Sequence, residues 1–461
     1  MTLIASISGI RGTIGGLERE NLTPVDITRF TAAYGAWLLK RGGHRRVVIG
    51  RDARPSGEML SALVGATLVG LGFEVVDLGL ATTPTVEVTV PAEGAAGGII
   101  LTASHNPVEW NALKLLNQKG EFISAADGKE IIELYEHPEY QFATVHKLGH
   151  IRKPELYLDY HLQRILTLPL VDVAAIRNAR FKIVVDAVNS VGGIAIPKLL
   201  TLLGVAEVIP LYCIPNGEFP HNPEPLQEHL TDICQSVSDH QADLGIVVDP
   251  DVDRLAFVCE DGKLFGEEYT LVAIADYVLS KTPGGAVSNL SSSRALSWVA
   301  SQRGGGYAAA AVGEVNVVSV MKQTQAVIGG EGNGGIIYPP LHYGRDALVG
   351  IALMLTYLSK EKTTLAALKN RYPALFMAKT KAEIPKTVSV DSLLVYLQEK
   401  YANIPQNTED GLKLDFPDYW VHIRKSNTEP IVRIYTEAST QEEANVVAAE
   451  FVELIQQVAR R

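Results

Sequence analysis

The sequence predicts an α/β protein with three related α/β domains followed by a smaller α+β domain at the C-terminal end. Three observations carry this. The chain has 461 residues, more than one hydrophobic core organises, so two to four domains are expected. Short apolar runs alternate with helical patterns, the signature of βαβ units and of parallel or mixed sheets. That alternation recurs three times and then gives way to a different pattern.

The first copy has a strand at Arg46–Gly50, a polar turn at Arg51–Gly57, a helix at Glu58–Leu71 and a strand at Phe73–Leu78. The second runs as strand Lys182–Asp186, turn Ala187–Gly193, helix Ile194–Leu203 and strand Ala206–Leu211. The third has Gly285–Asn289, Leu290–Ser293, Arg294–Arg303 and Tyr307–Val312 in the same roles. In the tail, strands at Phe376–Ile384, Trp420–Lys425 and Ile431–Glu437 surround helices at Asp391–Lys400 and Thr440–Val458. Boundaries near Lys147–Pro154, Glu260–Gly266 and Asn370–Pro373 divide the chain into 1–150, 151–262, 263–370 and 371–461.

Composition narrows the function classes. Hydrophobic residues make up 47% and charged residues 20%, ordinary for a soluble globular protein. A net charge of −11 argues against nucleic acid or an anionic membrane as partner. Cys213, Cys234 and Cys259 are scattered without CxxC pairing, which points to a reducing compartment. No secretory signal is apparent at Met1–Ile4, and no apolar run reaches bilayer length. A cytoplasmic protein is expected.

Four motifs carry chemistry. In Thr102-Ala103-Ser104-His105-Asn106-Pro107, an apolar run stops at a polar turn closed by proline. Ser104 is thereby placed at a strand tip, where a hydroxyl beside an imidazole suits a covalent acceptor. In Asp249-Pro250-Asp251-Val252-Asp253-Arg254, the i, i+2, i+4 spacing in an extended segment brings three carboxylates to one side. Such a trio repels itself unless a hard cation, Mg²⁺ or Ca²⁺, sits among it. Gly329-Gly330-Glu331-Gly332-Asn333-Gly334-Gly335 allows close backbone approach, with Glu331 and Asn333 suited to sugar hydroxyls. Arg424-Lys425-Ser426-Asn427-Thr428-Glu429-Pro430, with Arg433 close behind, reads as an anion cradle. Arg11, in Ser8–Gly12, and Arg51 and Arg54, in Gly50–Ser56, are weaker loop-arginine signals, and Lys114 is spaced to return towards Ser104.

In this order the motifs resemble those of the α-D-phosphohexomutase superfamily, the phosphoglucosamine mutases, phosphomannomutases and phosphoglucomutases, over essentially the whole chain. The resemblance implies four domains around a central cleft. It makes Ser104 the phosphoserine, which with Asp249, Asp251 and Asp253 binds Mg²⁺. Arg11, His105, Lys114 and Arg254 would line the transfer site, with His105 or Lys114 as general base. Glu331 and Asn333 would read the sugar, while Arg424, Ser426, Asn427, Thr428 and Arg433 hold the second phosphate. The implied reaction interconverts hexose 6-phosphate and hexose 1-phosphate through a 1,6-bisphosphate, which also serves as activator, in a monomer or homodimer. Many relatives read GExSGH where this chain has Gly330–Gly335, and the opening Ser6–Gly12 lacks their FGT[DS]GIRG form. The GEGNGG loop resembles the phosphoglucosamine mutase subgroup, so glucosamine phosphate is the expected substrate. A broader phosphomannomutase/phosphoglucomutase, a Mg²⁺-dependent sugar phosphatase or a non-catalytic sugar-phosphate binder are the alternatives.

Overall fold

The computed structural model describes residues 2–6, 9–385, 388–425 and 431–459. Its first three sheets repeat one four-strand unit. In the first, Arg46–Arg51 lies between parallel neighbours Glu74–Leu80 and Gly97–Leu101, and Gly97–Leu101 turns back into antiparallel Trp110–Leu116. The second has Lys182–Asp186 between Glu207–Leu211 and Leu244–Val248, the latter turning back into Leu255–Cys259. The third has Ala286–Asn289 between Tyr307–Ala310 and Ile328–Glu331, which turns back into Gly335–Ile337. The first sheet is widened to seven strands by Ile4–Ser6, Gly9–Thr13 and His150–Arg152.

These inner strands are near-continuous apolar runs because helices cover both faces: Val47, Val48 and Ile49 are all buried, as are Ile183, Val184 and Val185. Local signals fix the helix starts. The helix Pro24–Arg41 opens on a capping box between Thr23 and Asp26, and Ala347–Glu361 is capped by Asp346. One apolar core runs unbroken through the second and third units, joining Ile183 and Val248 to Ile274, Ile328 and Leu355. The first and fourth sheets have cores of their own.

The fourth sheet is antiparallel throughout, in the order Phe376–Glu383, Ile431–Ala438, Trp420–Lys425, Leu412–Asp415 and Gln406–Asn407. Its last two strands escape the sequence reading: one is a short Leu-Lys-Leu-Asp alternation, the other a polar pair at the edge. Among the described residues, no helix is long and apolar enough to cross a membrane.

Candidate active site

The serine, acidic and sugar loops occupy the same joint, the hairpin where a sheet turns back on itself. The serine loop joins Gly97–Leu101 to Trp110–Leu116. Ser104 has φ 49°, a left-handed conformation that costs a non-glycine residue on the order of 1 kcal/mol or more. The loop imposes it. Ser104 N–H donates to Thr102 Oγ1 at 2.9 Å, and Thr102 donates to Asp52 Oδ2 at 2.6 Å. Buried Arg54 pairs with Asp52 at 3.0 Å and gathers the carbonyls of Ser104, Asn106, Pro107 and Trp110 at 2.5–3.1 Å. The serine is only 7% exposed, and its Oγ donates to Asp249 Oδ2 at 2.6 Å.

The acidic loop joins Leu244–Val248 to Leu255–Cys259. Its carboxylates converge, but not by extended alternation. The segment is a turn with Val252 at φ 64°, closed by Val252 N–H on the Asp249 carbonyl at 3.1 Å, while Asp249 Oδ1 accepts from the N–H groups of Asp253 and Arg254. Donor atoms of Asp249, Asp251 and Asp253 lie within 4.8 Å of one another, all buried. Burial, then the charges of Asp253 and Asp251, push Asp249 well above the ordinary carboxylate range. Burial works on Asp251 in the same direction, yet Lys114 and the Thr83 hydroxyl outweigh it and hold that carboxyl low. Lys114 Nζ stands 2.7 Å from Asp251 and 3.5 Å from Asp253. Oδ1 of Asp251 and Oδ1 of Asp253 are buried without a hydrogen-bond partner among the described residues. Orphaned hard oxygens of this kind fit a divalent cation, so the loop can bind a metal.

His105 and Arg254 complete this wall. Burial, then the nearby Arg254 charge, hold the His105 ring well below its ordinary value, and its Nδ1 has no partner among the described residues. Arg254 pairs with Glu224 at 3.3 Å.

The sugar loop joins Ile328–Glu331 to Gly335–Ile337. Glu331 is buried and engaged at both oxygens: Oε1 accepts from Asn289 Nδ2 at 2.8 Å and Gly313 N–H at 3.0 Å, and Oε2 pairs with Arg345 at 3.0 Å. Asn333 stays half-exposed. Arg345 also reaches Glu314 at 2.9 Å and Asp253 at 2.6 Å, tying the sugar loop to the acidic one. A Cβ at Gly335 would meet Arg345 Cδ at 2.3 Å. Arg345 thus fills the space a larger side chain at position 335 would need.

In the fourth domain, Arg424 and Lys381 both pair across the sheet with Arg433, so three cations share one face. Arg424 is braced by Asp410 at 2.7 Å. Burial, then the Arg433 charge, disfavour the charge on Arg11, so the first-domain arginine is within electrostatic reach of this row. Unrelieved like charges destabilise a sheet; an anion relieves them. Ser426, Asn427 and Thr428 lie outside the described residues.

The chain matches the models of phosphoglucomutase/phosphomannomutase alpha/beta/alpha domains I, II and III over residues 4–142, 156–262 and 266–376, and of the C-terminal domain over 373–454. It belongs to this family. A phosphoglucomutase/phosphomannomutase of Thermococcus kodakarensis is 34% identical, with 96% of each chain covered. A probable phosphoglucosamine mutase of Methanopyrus kandleri is also 34% identical, covering 97% of this chain and 96% of that one. The crystal structure of a phosphoglucomutase/phosphomannomutase family protein from Burkholderia thailandensis superposes with a TM-score of 0.85 at 25% identity, covering 100% and 98%.

Arg54, Thr83, Arg345 and Lys381 touch or neighbour the motif residues and were missed or undervalued in the sequence. Arg54 lies in a loop whose arginines read as solvated from sequence alone. Thr83, Arg345 and Lys381 carry no local motif; only the fold brings Thr83 and Arg345 to the acidic loop and Lys381 beside Arg433.

Proposed function

We propose that this phosphohexomutase interconverts glucosamine 6-phosphate and glucosamine 1-phosphate by way of a phosphoserine at Ser104. The observation that carries the reading is Ser104 Oγ held 2.6 Å from Asp249, against a buried carboxylate trio whose other two members Lys114 pairs with. An oxygen fixed there suits a phosphoryl carrier, because a cation held by the trio would offset the repulsion between the carboxylates and the phosphoryl group.

In the forward half-reaction the free sugar hydroxyl attacks phosphorus on Ser104. The new O–P bond forms as the Oγ–P bond breaks, and the serine oxygen leaves with the electron pair. Lys114 is committed to Asp251 and Asp253, so the hydroxyl proton passes to His105, whose Nδ1 is unengaged. The 1,6-bisphosphate turns over in the cleft, and its other phosphoryl group returns to Ser104. Arg254 faces the equatorial oxygens. Arg11, Lys381, Arg424 and Arg433, with Ser426, Asn427 and Thr428, hold the phosphate that is not reacting. Asp249, Asp251 and Asp253, with the serine phosphate, would hold Mg²⁺, which supplies positive charge to the transferring group when bound. Hexose 1,6-bisphosphate primes an unphosphorylated chain, and the enzyme works in the cytoplasm as a monomer or homodimer.

Asn333 presents a half-exposed sugar contact, Glu331 keeps one acceptor position at Oε2 beside Arg345 for another, and the kinship with a probable phosphoglucosamine mutase supports the amino sugar. The equally similar phosphoglucomutase/phosphomannomutase supports broader specificity as the runner-up. Coupled assays on glucosamine, mannose and glucose 6-phosphates, primed with bisphosphate, decide by kcat/KM. Ser104→Ala should abolish turnover while substrate still binds by calorimetry. Turnover retained in that variant would remove the phosphoserine.

A further inference from the structure

Beside the acidic loop, but sharing no residue with it, a second group of metal-capable side chains is buried among helices of the first three domains. His161 lies on the helix Tyr157–Leu166, and Asp346 caps the helix Ala347–Glu361 with His342 just before it. One donor atom of each lies within 4.8 Å of the others. Asp346 Oδ2 stands 2.9 Å from His161 Nε2 and 3.2 Å from His342 Nε2. Donors at zinc-ligand distances from a tetrahedral centre are roughly 3.3 Å apart, so these two edges need only small adjustments. Asp346 Oδ1 is occupied by the N–H groups of Leu348 and Val349, which leaves Oδ2 as the ligating atom.

The far sides of both imidazoles are also arranged. His161 Nδ1 lies 3.0 Å from Thr85 Oγ1, and His342 Nδ1 lies 3.3 Å from Glu87 Oε2. Metal-bound imidazoles are oriented through their second nitrogen by hydroxyl or carboxylate groups of this sort. Glu87 is 1% exposed, yet neither of its oxygens has a hydrogen-bond partner among the described residues, and His342 Nδ1 has none either. A relay of hydrogen bonds through Asp346 leaves that pair unsatisfied. A cation on the Nε2 side fixes the ring proton on Nδ1, facing Glu87, and brings positive charge to a buried carboxylate.

We propose that His161, His342 and Asp346 bind a divalent transition-metal ion of the Zn²⁺ or Co²⁺ kind, at a structural site separate from the acidic loop. Two imidazoles select such an ion over Mg²⁺, while the all-carboxylate trio has the opposite preference. The site fastens the helix Thr83–Ala92 of the first domain to the second and third through Thr85 and Glu87. That helix also carries Thr83, which donates to Asp251 at 2.6 Å.

The test is a Co²⁺ titration of the chelator-stripped full chain in excess Mg²⁺. It reads the visible bands of tetrahedral cobalt and the cobalt retained per chain after desalting. Retained cobalt with strong bands is expected, together with a higher thermal midpoint. His342→Gln, at the accessible edge of the cluster, should weaken the bands and Co²⁺ affinity at least ~10-fold, whereas Asp251→Asn should leave both unchanged. Failure of the wild-type chain to retain cobalt would overturn the proposal without any variant having to fold. So would bands that survive His342→Gln intact or disappear in Asp251→Asn.

Discussion

Arg54 donates to the backbone carbonyl of Ser104 at 2.5 Å from a position with almost no solvent contact. The same guanidinium takes three further carbonyls of the loop and the carboxylate of Asp52. A left-handed serine is tolerated here because one rigid cation dictates where the surrounding carbonyls point. The serine proposed to carry the phosphoryl group is thus placed by a residue that sits behind the loop.

Arg54→Lys keeps the charge and loses the planar fork. Kcat should fall ~10–100-fold through misplacement of Ser104, with substrate KM nearly unchanged. Steady-state kinetics on folded protein check this, and a kcat within twofold of wild type would show the loop holds itself.

Arg345 pairs with Asp253, Glu314 and Glu331, so its loss strands three buried acids. Arg345→Met should destabilise the fold by about 3–5 kcal/mol. In the protein that remains folded, the Mg²⁺ requirement and substrate KM should rise together, because one residue braces both loops. Denaturant unfolding and a Mg²⁺ titration at fixed substrate read the two effects; movement of only one would separate the loops.

Lys381→Ala removes one member of the cation row opposite Arg433. KM for the hexose phosphate should rise ~10-fold with kcat much less affected, since the lost contact serves the non-reacting phosphate. The salt dependence of KM should weaken as well. An unchanged KM would take Lys381 out of the cradle.

His422 joins the fourth domain to the third, 2.9 Å from Ser291 Oγ and 2.7 Å from the Asp410 carbonyl. Burial, then the Arg424 charge, pushes the ring down to about 4 from an ordinary 6.5. Between those values the unfolded chain binds the proton and the folded one does not. Stability should therefore rise with pH across this window, by about 3 kcal/mol, and be lost on acidification. His422→Gln should flatten that segment of a pH series of thermal midpoints; an unaltered slope would assign it to other groups.

Much of the fold was legible because its signals are local. The strands Lys182–Asp186 and Trp420–Lys425 have the same limits in sequence and structure, the first because its apolar run ends abruptly at a polar turn. The acidic loop was legible in composition but not in conformation. Spacing implied an extended strand, whereas a left-handed Val252 folds the trio together, and no propensity favours a β-branched residue there. Arg345 and Lys381 stayed hidden for a different reason. Their partners are distant in sequence, and an isolated cation carries no periodicity to read.

The second and third units share one unbroken core, and Arg345 spans their two functional loops. The groups proposed to bind the ion and read the sugar therefore form a single fixed template, with no soft seam between them. In the proposed reaction the bisphosphate must present both ends to the same serine. Since the template does not reshape itself, the adaptation falls to the ligand, which must look alike to Glu331 and Asn333 whichever way it lies. Sugar choice is then a question of molecular pseudosymmetry. A hexose is accepted when its hydroxyls nearly superimpose after a half-turn, and a substituent that breaks that likeness is rejected in one orientation only, stalling turnover at the bisphosphate.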